Sequence, residues 1–167
     1  MKKQLLYRTV LALFAGMMVL ACSKDDSTTD PMMANNAAEI QQVTNIATSG
    51  SWRITSYIDS GQDETHHYNG FSFTFNTDGT LTATDGTNTY TGVWSITDDS
   101  NSNSSDDDSG SDDDDIDFNI MFNAPAPADF IELTDDWDIT SRSTSKIELI
   151  DISGGNGGTD TLVFEKN

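Results

Sequence analysis

The chain has 167 residues, of which 28 are acidic and 8 are basic, and its formal net charge is −20 at pH 7. A surface this negative repels phosphate backbones, which argues against nucleic acid as a partner. The single cysteine excludes an intrachain disulfide, so the fold must be stable without one.

Residues 1–21 have the features of a signal peptide. Three basic residues lie among the first eight, and the apolar run Val10–Leu20 follows. That run is short for a bilayer span but has the length of a signal-peptide core. It ends in Val19-Leu20-Ala21-Cys22, which resembles the lipobox of bacterial lipoproteins. The resemblance implies that Cys22 is lipidated and that the leader is removed before it. An ordinary signal peptide with an accidental cysteine is the alternative.

Lipid is the expected means of membrane attachment. After cleavage 5 basic residues remain against 28 acidic ones, so the formal charge is 5 − 28 = −23. Such a chain does not bind an anionic membrane by charge, whereas each buried acyl methylene contributes about 0.8 kcal/mol. The residues that follow the cysteine, Ser23–Asp26, resemble the acidic export signal of surface-exposed lipoproteins of Bacteroidota. This resemblance implies an outer-membrane location with the chain exposed at the cell surface.

The next two segments are a predicted tether and a predicted helix. Residues 22–35 are mostly polar and lack hydrophobic periodicity, which predicts a flexible acidic tether. Residues 37–48 carry Ile40, Val43 and Ile46 near helical spacing, and Gly50 follows as a stop signal. A short helix is therefore expected to pack on a β domain spanning 36–167.

From Ser51 onward the chain alternates apolar and polar residues with period two. In the first strand Trp52, Ile54 and Ile58 share one predicted face, and Arg53, Thr55 and Tyr57 share the other. Turn signals such as Asp78-Gly79 and Asp85-Gly86 separate the later runs. About eight short strands result, and a single helical turn is expected within 129–135. The pattern predicts an all-β domain, either a small barrel or a β-sandwich.

Several motifs resemble the lipocalin-like lipoproteins of Bacteroidota, over roughly residues 50–167. Gly50-Ser51-Trp52 is similar to the Gly-x-Trp opening of lipocalin barrels. The later motifs, in chain order, are Phe71-Ser72-Phe73-Thr74-Phe75, Asp78-Gly79, Tyr90-Thr91-Gly92-Val93-Trp94, Leu133-Thr134-Asp135-Asp136-Trp137 and Leu162-Val163-Phe164-Glu165-Lys166. The resemblance implies an eight-stranded antiparallel up-and-down barrel in which Trp52 plugs one end. The last strand lacks the Arg that stacks on this Trp in lipocalins.

Residues 98–115 form an Asp-rich segment with nine Asp, six Ser, two Asn and one Gly. It contains no apolar residue, so it is predicted to be a disordered loop between two strands. Carboxylates are ligands for Ca²⁺, and the candidates are Asp106, Asp108, Asp112 and Asp114. An EF-hand register fails, because Ser104 stands where Gly is required and Gly110 where Glu is required. A solvated loop is the preferred interpretation, so no cofactor is expected, and Ca²⁺ bound by this loop is the alternative.

The sequence predicts no catalytic site. His66 and His67 lie near Asp63 and Glu64 in a predicted loop. Adjacent side chains of an extended chain point to opposite sides, which disfavours a shared zinc ion. With both histidines in one loop and the sole thiol predicted to be lipidated, a catalytic triad is not expected.

The predicted function is non-catalytic binding. The ten aromatic residues predicted to point inward are Trp52, Phe71, Phe73, Phe75, Tyr90, Trp94, Phe118, Phe122, Trp137 and Phe164. Because this set is bulky, any cavity inside the barrel should be small, with its entrance near the loop Asp59–Asn69. The expected ligand is a small apolar or amphiphilic molecule. The alternative is a β-sandwich module that binds a glycan or a protein partner, with Tyr57 and Tyr68 as candidates for an exposed aromatic platform.

Overall fold

The computed structural model describes residues 31–98, 116–152 and 158–167. Within these ranges the chain forms two α-helices, one 3₁₀ helix and a set of antiparallel strands. The helices are α1 (Pro31–Ala47), the 3₁₀ helix (Thr65–Tyr68) and α2 (Ala128–Ile131). The strands are β1 (Ser51–Asp59), β2 (Gln62–Asp63), β3 (Ser72–Phe75), β4 (Thr80–Thr84), β5 (Thr89–Asp98), β6 (Ile116–Phe122), β7 (Asp135–Arg142), β8 (Lys146–Ile152) and β9 (Thr159–Lys166).

Eight of these strands close into an up-and-down barrel. The order around it is β1-β3-β4-β5-β6-β7-β8-β9, and β9 pairs back onto β1. The two-residue strand β2 only extends the end of β1 as a short hairpin. The predicted antiparallel barrel is therefore confirmed. The β-sandwich alternative is wrong, because β1 is paired on both sides and leaves no edge that would separate two sheets.

Alternating side chains fill the interior. Eight of the ten aromatic residues predicted to point inward are buried, and the other two, Phe71 and Tyr90, are partly buried against the core. The eight are Trp52, Phe73, Phe75, Trp94, Phe118, Phe122, Trp137 and Phe164. An eight-stranded barrel is just wide enough for its own side chains to fill, so this interior is a packed core.

Two glycines allow the strands to meet. Gly79 has φ of +83°, a conformation that suits glycine, and it turns the chain between β3 and β4. Gly92 is buried on β5 where β6 passes closely, and a Cβ there would lie 2.5 Å from the Met121 carbonyl oxygen. A side chain at position 92 would push β5 and β6 apart.

The helix α1 begins earlier than predicted. It starts at Pro31, inside the segment 22–35 predicted as a tether, and ends at Ala47. Pro is favoured in the first turn of a helix, and the Met and Ala residues that follow are good helix formers. Val43 and Ala47 are buried, and Glu39 pairs with Arg142 at the end of β7. The helix thus lies across one end of the barrel.

A β-bulge in β1 changes which residues face inward. Ile54 pairs with Phe164 and Ser56 with Val163, so β1 has one extra residue here relative to β9. An extra residue shifts the alternation by one position. Tyr57 therefore points into the barrel, on the side opposite to the one that simple alternation predicts.

Candidate functional site

Trp52 closes the end of the barrel that α1 covers. Its side chain is fully buried, and its indole N–H donates a hydrogen bond to the carbonyl oxygen of Ala47 at 2.8 Å. The Lys166 Nζ atom lies 5.4 Å from the centroid of the Trp52 ring, within cation–π range. Lys166 thus supplies a cation over this Trp, although the Arg of lipocalins is absent.

Aromatic rings close the opposite end. Phe130 of α2 is buried, and its ring centroid lies 4.8 Å from that of Tyr90 and 4.9 Å from that of Phe71. It also contacts Tyr68 and Phe122, with centroids 5.5 Å apart in both pairs. The predicted entrance near Asp59–Asn69 is therefore wrong, since α2 and the 3₁₀ helix plug this end. Sequence alternation could not show this, because Phe130 comes from outside the strands.

The prediction that Tyr57 and Tyr68 form an exposed platform is also wrong. Each is only 1% exposed. The bulge in β1 turns Tyr57 inward, and Tyr68 packs edge-on against it. The Tyr57 hydroxyl donates to the Glu132 carbonyl oxygen at 3.1 Å, and the Tyr68 hydroxyl to that of Asp129 at 2.5 Å. Burial raises the pKa of both phenols, so they stay protonated donors that hold the α2 segment in place.

A groove lies on the outer wall of the barrel. Its volume is about 630 Å³, within the range of small-molecule sites. Val93 on β5 and Met121 on β6 are directly paired across the sheet and are 52% and 47% exposed. These two side chains give the groove an apolar floor. The complete lining is Asp78, Gly79, Val93, Trp94, Ser95, Asn119, Ile120, Met121, Thr134, Asp135 and Asp136.

Three aspartates make the groove acidic. The Thr80 backbone N–H, which donates to Asp78, lowers the pKa of the Asp78 carboxyl group. Burial raises the pKa of Asp135 to about 6, with a further contribution from its side-chain hydrogen bond with the Asp136 carboxyl group. Both Asp78 and Asp135 are therefore mainly ionised at neutral pH. The site combines an apolar floor with negative charge, which suits a ligand that has an apolar part and a cationic part.

Sequence reasoning missed this groove, although a signal was present. The other outward residues near Val93 and Met121 are polar, for example Thr91, Ser95 and Asn119. Val93 and Met121 are each a single apolar residue at an outward position. They indicate an exposed apolar patch only when their two strands are known to be paired. The pairing of β5 with β6 across the Asp-rich segment supplies that information.

The two histidines are closer together than predicted. His66 and His67 lie in the 3₁₀ helix, and their ring centroids are 3.9 Å apart. The expectation that they point to opposite sides of an extended chain is wrong, because the local backbone is helical. Glu64, His66 and His67 can present one ligand atom each within 4.8 Å of one another.

The remaining predicted site residues lie outside the described residues. These are Cys22, and Asp106, Asp108, Asp112 and Asp114 of the Asp-rich segment, so their predictions stay predictions. The strand β5 extends to Asp98, the first residue of the predicted loop, because Asp98 pairs with Ile116. Among the described helices, none has both the length and the apolar character needed to cross a membrane.

The protein belongs to the class of small, closed, antiparallel β-barrels. Its side chains fill the interior, and a groove lies on its outer wall. The chain matches no model of a known protein family, and no curated protein matches it. Its fold is similar to the crystal structure of a DUF4847 family protein from Bacteroides vulgatus. The identity is 17% and the TM-score 0.46, over 75% of this chain and 97% of that one.

Proposed function

We propose that this chain is a non-catalytic binding protein, anchored by lipid at Cys22 to the outer membrane and exposed at the cell surface. Its barrel serves as a rigid scaffold, and the ligand binds in the groove on the outer wall. The ligand class is a small amphiphilic molecule with a cationic group.

The observation that carries this proposal is the combination of a filled interior with an open exterior groove. Trp52 and Phe130 occupy the two ends of the barrel, and bulky side chains from the strands point into its interior between them. Val93 and Met121, in contrast, remain exposed beside acidic residues. The net charge of −20 favours the approach of cations and disfavours anions such as fatty acids.

We expect octyltrimethylammonium to bind the groove and octanoate, which has the same tail and the opposite charge, not to bind. Ligand efficiencies of small molecules suggest a dissociation constant on the order of 100 µM for the cation. Binding is measured by calorimetry, and its place by amide chemical shifts in NMR spectra. The variants Val93→Thr and Met121→Gln keep the side-chain volume but lose apolar contact, and each should weaken binding about tenfold.

The matched control is Ile152→Thr, which changes an exposed apolar residue at the end of β8, outside the groove. It should bind octyltrimethylammonium like the wild type. Tetramethylammonium has no tail, so its affinity measures the electrostatic contribution to binding alone. Equal binding of the cation by the Val93→Thr, Met121→Gln and wild-type chains would show that attraction to the acidic surface alone is responsible, and the groove would not be the site.

The anchor has its own test. The variant Cys22→Ser has no thiol to receive a diacylglycerol, so labelled fatty acid should not appear on the protein. The leader, residues 1–21, should also stay uncleaved, which mass spectrometry of the intact chain detects. Ser23→Ala, one residue away, is the matched control and should be labelled normally. Labelled fatty acid on the Cys22→Ser chain would contradict the proposed anchor.

A further inference from the structure

The 3₁₀ helix is held rigidly at the plugged end of the barrel. The Thr65 backbone N–H donates to the Asp63 carboxylate at 3.0 Å, and the Tyr57 backbone N–H donates to the Thr65 hydroxyl at 2.8 Å. Tyr68, the last residue of this helix, is buried and bonded to the Asp129 backbone. The segment therefore presents its other side chains in a defined orientation towards α2.

His67 lies between two carboxylates. Its Nε2 atom is 3.0 Å from a Glu64 oxygen, and its Nδ1 atom is 3.2 Å from an Asp129 oxygen. A neutral imidazole has one N–H donor and one lone pair, so it satisfies only one of the two carboxylates. The lone pair of the other nitrogen then faces its carboxylate, the arrangement in which a metal ion can bind both groups. Histidines that bind metals often donate their second N–H to a carboxylate, and Asp129 is placed to accept it.

The remaining atoms fit a transition-metal ion. In a tetrahedral zinc site with bonds of about 2.0–2.1 Å, ligand atoms are roughly 3.3 Å apart. The 3.0 Å separation of the His67 Nε2 and Glu64 atoms is near this value. The His66 ring, tilted by 40° to that of His67, is exposed and can turn its nitrogen toward the same point. Two imidazoles and one carboxylate favour Zn²⁺ over Ca²⁺, which takes six to eight oxygen ligands.

We infer that Glu64, His66 and His67 form a binding site for Zn²⁺, with a water completing the coordination and Asp129 orienting His67 through Nδ1. The ligands come from the 3₁₀ helix and its flank, and the orienting carboxylate comes from α2. Zinc therefore links the two segments that cover this end of the barrel and stabilises the folded chain.

The experiment is a zinc titration of the full-length chain by calorimetry and thermal unfolding. A free Zn²⁺ concentration 100-fold above the dissociation constant should raise the Tm by roughly 10 °C. Calorimetry in two buffers of different ionisation enthalpy should show proton release. His66→Gln and His67→Gln should each lose at least tenfold in affinity. Asp129→Asn should lose about 10- to 100-fold, as other orienting carboxylates do.

A second variant separates this site from the Asp-rich segment. Changing Asp106, Asp108, Asp112 and Asp114 together to Asn should leave the Zn²⁺ affinity unchanged within about twofold. Loss of binding in that variant, or retention of it in His67→Gln, would overturn the inference. If no Zn²⁺ binds the wild-type chain, the inference is wrong. Ca²⁺ in place of Zn²⁺ should give no Tm increase that depends on His66 or His67.

Discussion

Replacing Trp52 with Ala should lower the free energy of unfolding by about 3–5 kcal/mol, the usual cost of truncating a buried Trp. Trp52 has no exposed surface, and it joins the start of β1 to the end of α1 through its hydrogen bond to Ala47. Its removal leaves a cavity under the helix and removes the partner ring of Lys166. The loss is a large share of the stability of a small domain. Urea denaturation followed by circular dichroism measures it.

The variant Trp52→Phe separates the two contributions of Trp52 to stability, its packing in the core and its hydrogen bond to Ala47. It keeps an aromatic ring in the core and loses the N–H donor, leaving the Ala47 carbonyl oxygen without this partner. We expect the larger part of the Ala effect to come from lost packing, with about 1 kcal/mol from the hydrogen bond. A cost below about 1 kcal/mol for Trp52→Ala would show that α1 does not depend on this side chain.

Phe130→Ala should have an effect of similar size at the other end of the barrel. Phe130 is 2% exposed and contacts rings from β3, β5, β6 and the segment before β3. Phe130 is the ring that α2 inserts into this aromatic cluster, so truncation should cost about 3–5 kcal/mol although the Tyr57 and Tyr68 hydroxyls still bond to the α2 segment. Ile131→Ala is the matched control. Ile131 is next to Phe130 in the chain, but its side chain is 40% exposed, so this substitution should change the free energy of unfolding by less than about 0.5 kcal/mol.

Phe130→Ala also tests whether the interior can hold a ligand. A fluorescent fatty-acid probe should not bind the wild type, because side chains fill the barrel and its charge repels the probe. The variant has lost an aromatic ring from this end and should gain measurable binding of an uncharged apolar probe. Submicromolar binding of the fatty-acid probe to the wild type would instead show that the plugged end opens, and the barrel would be a carrier.

The two ends of the barrel differ in how well they match the lipocalin-like resemblance. The resemblance predicts a barrel with one end closed by a Trp, and the structure has both. Carriers of this shape need an open second end, and here that end is filled by Phe130 and its neighbours. This difference at the second end is the reason that we propose a ligand site on the outer surface.

The amino-acid sequence by itself determined the fold class and most of the core. Alternation with period two, interrupted by turn signals such as Asp78-Gly79, is a local property, and it identifies the strands and their apolar faces before any pairing is known. The bulky inward residues then predict a filled interior, because the size of a barrel limits the volume that its side chains can occupy.

Only the tertiary structure decided which surface is available for binding. One extra residue in β1 turned Tyr57 from the outer face to the core, and alternation cannot locate such a bulge. Phe130 reaches the core from the single-turn helix α2, and Val93 meets Met121 across strands separated by the Asp-rich segment. His66 and His67 converge because their backbone is helical. Each of these placements depends on contacts between distant segments or on one local backbone conformation, which residue type and spacing do not specify.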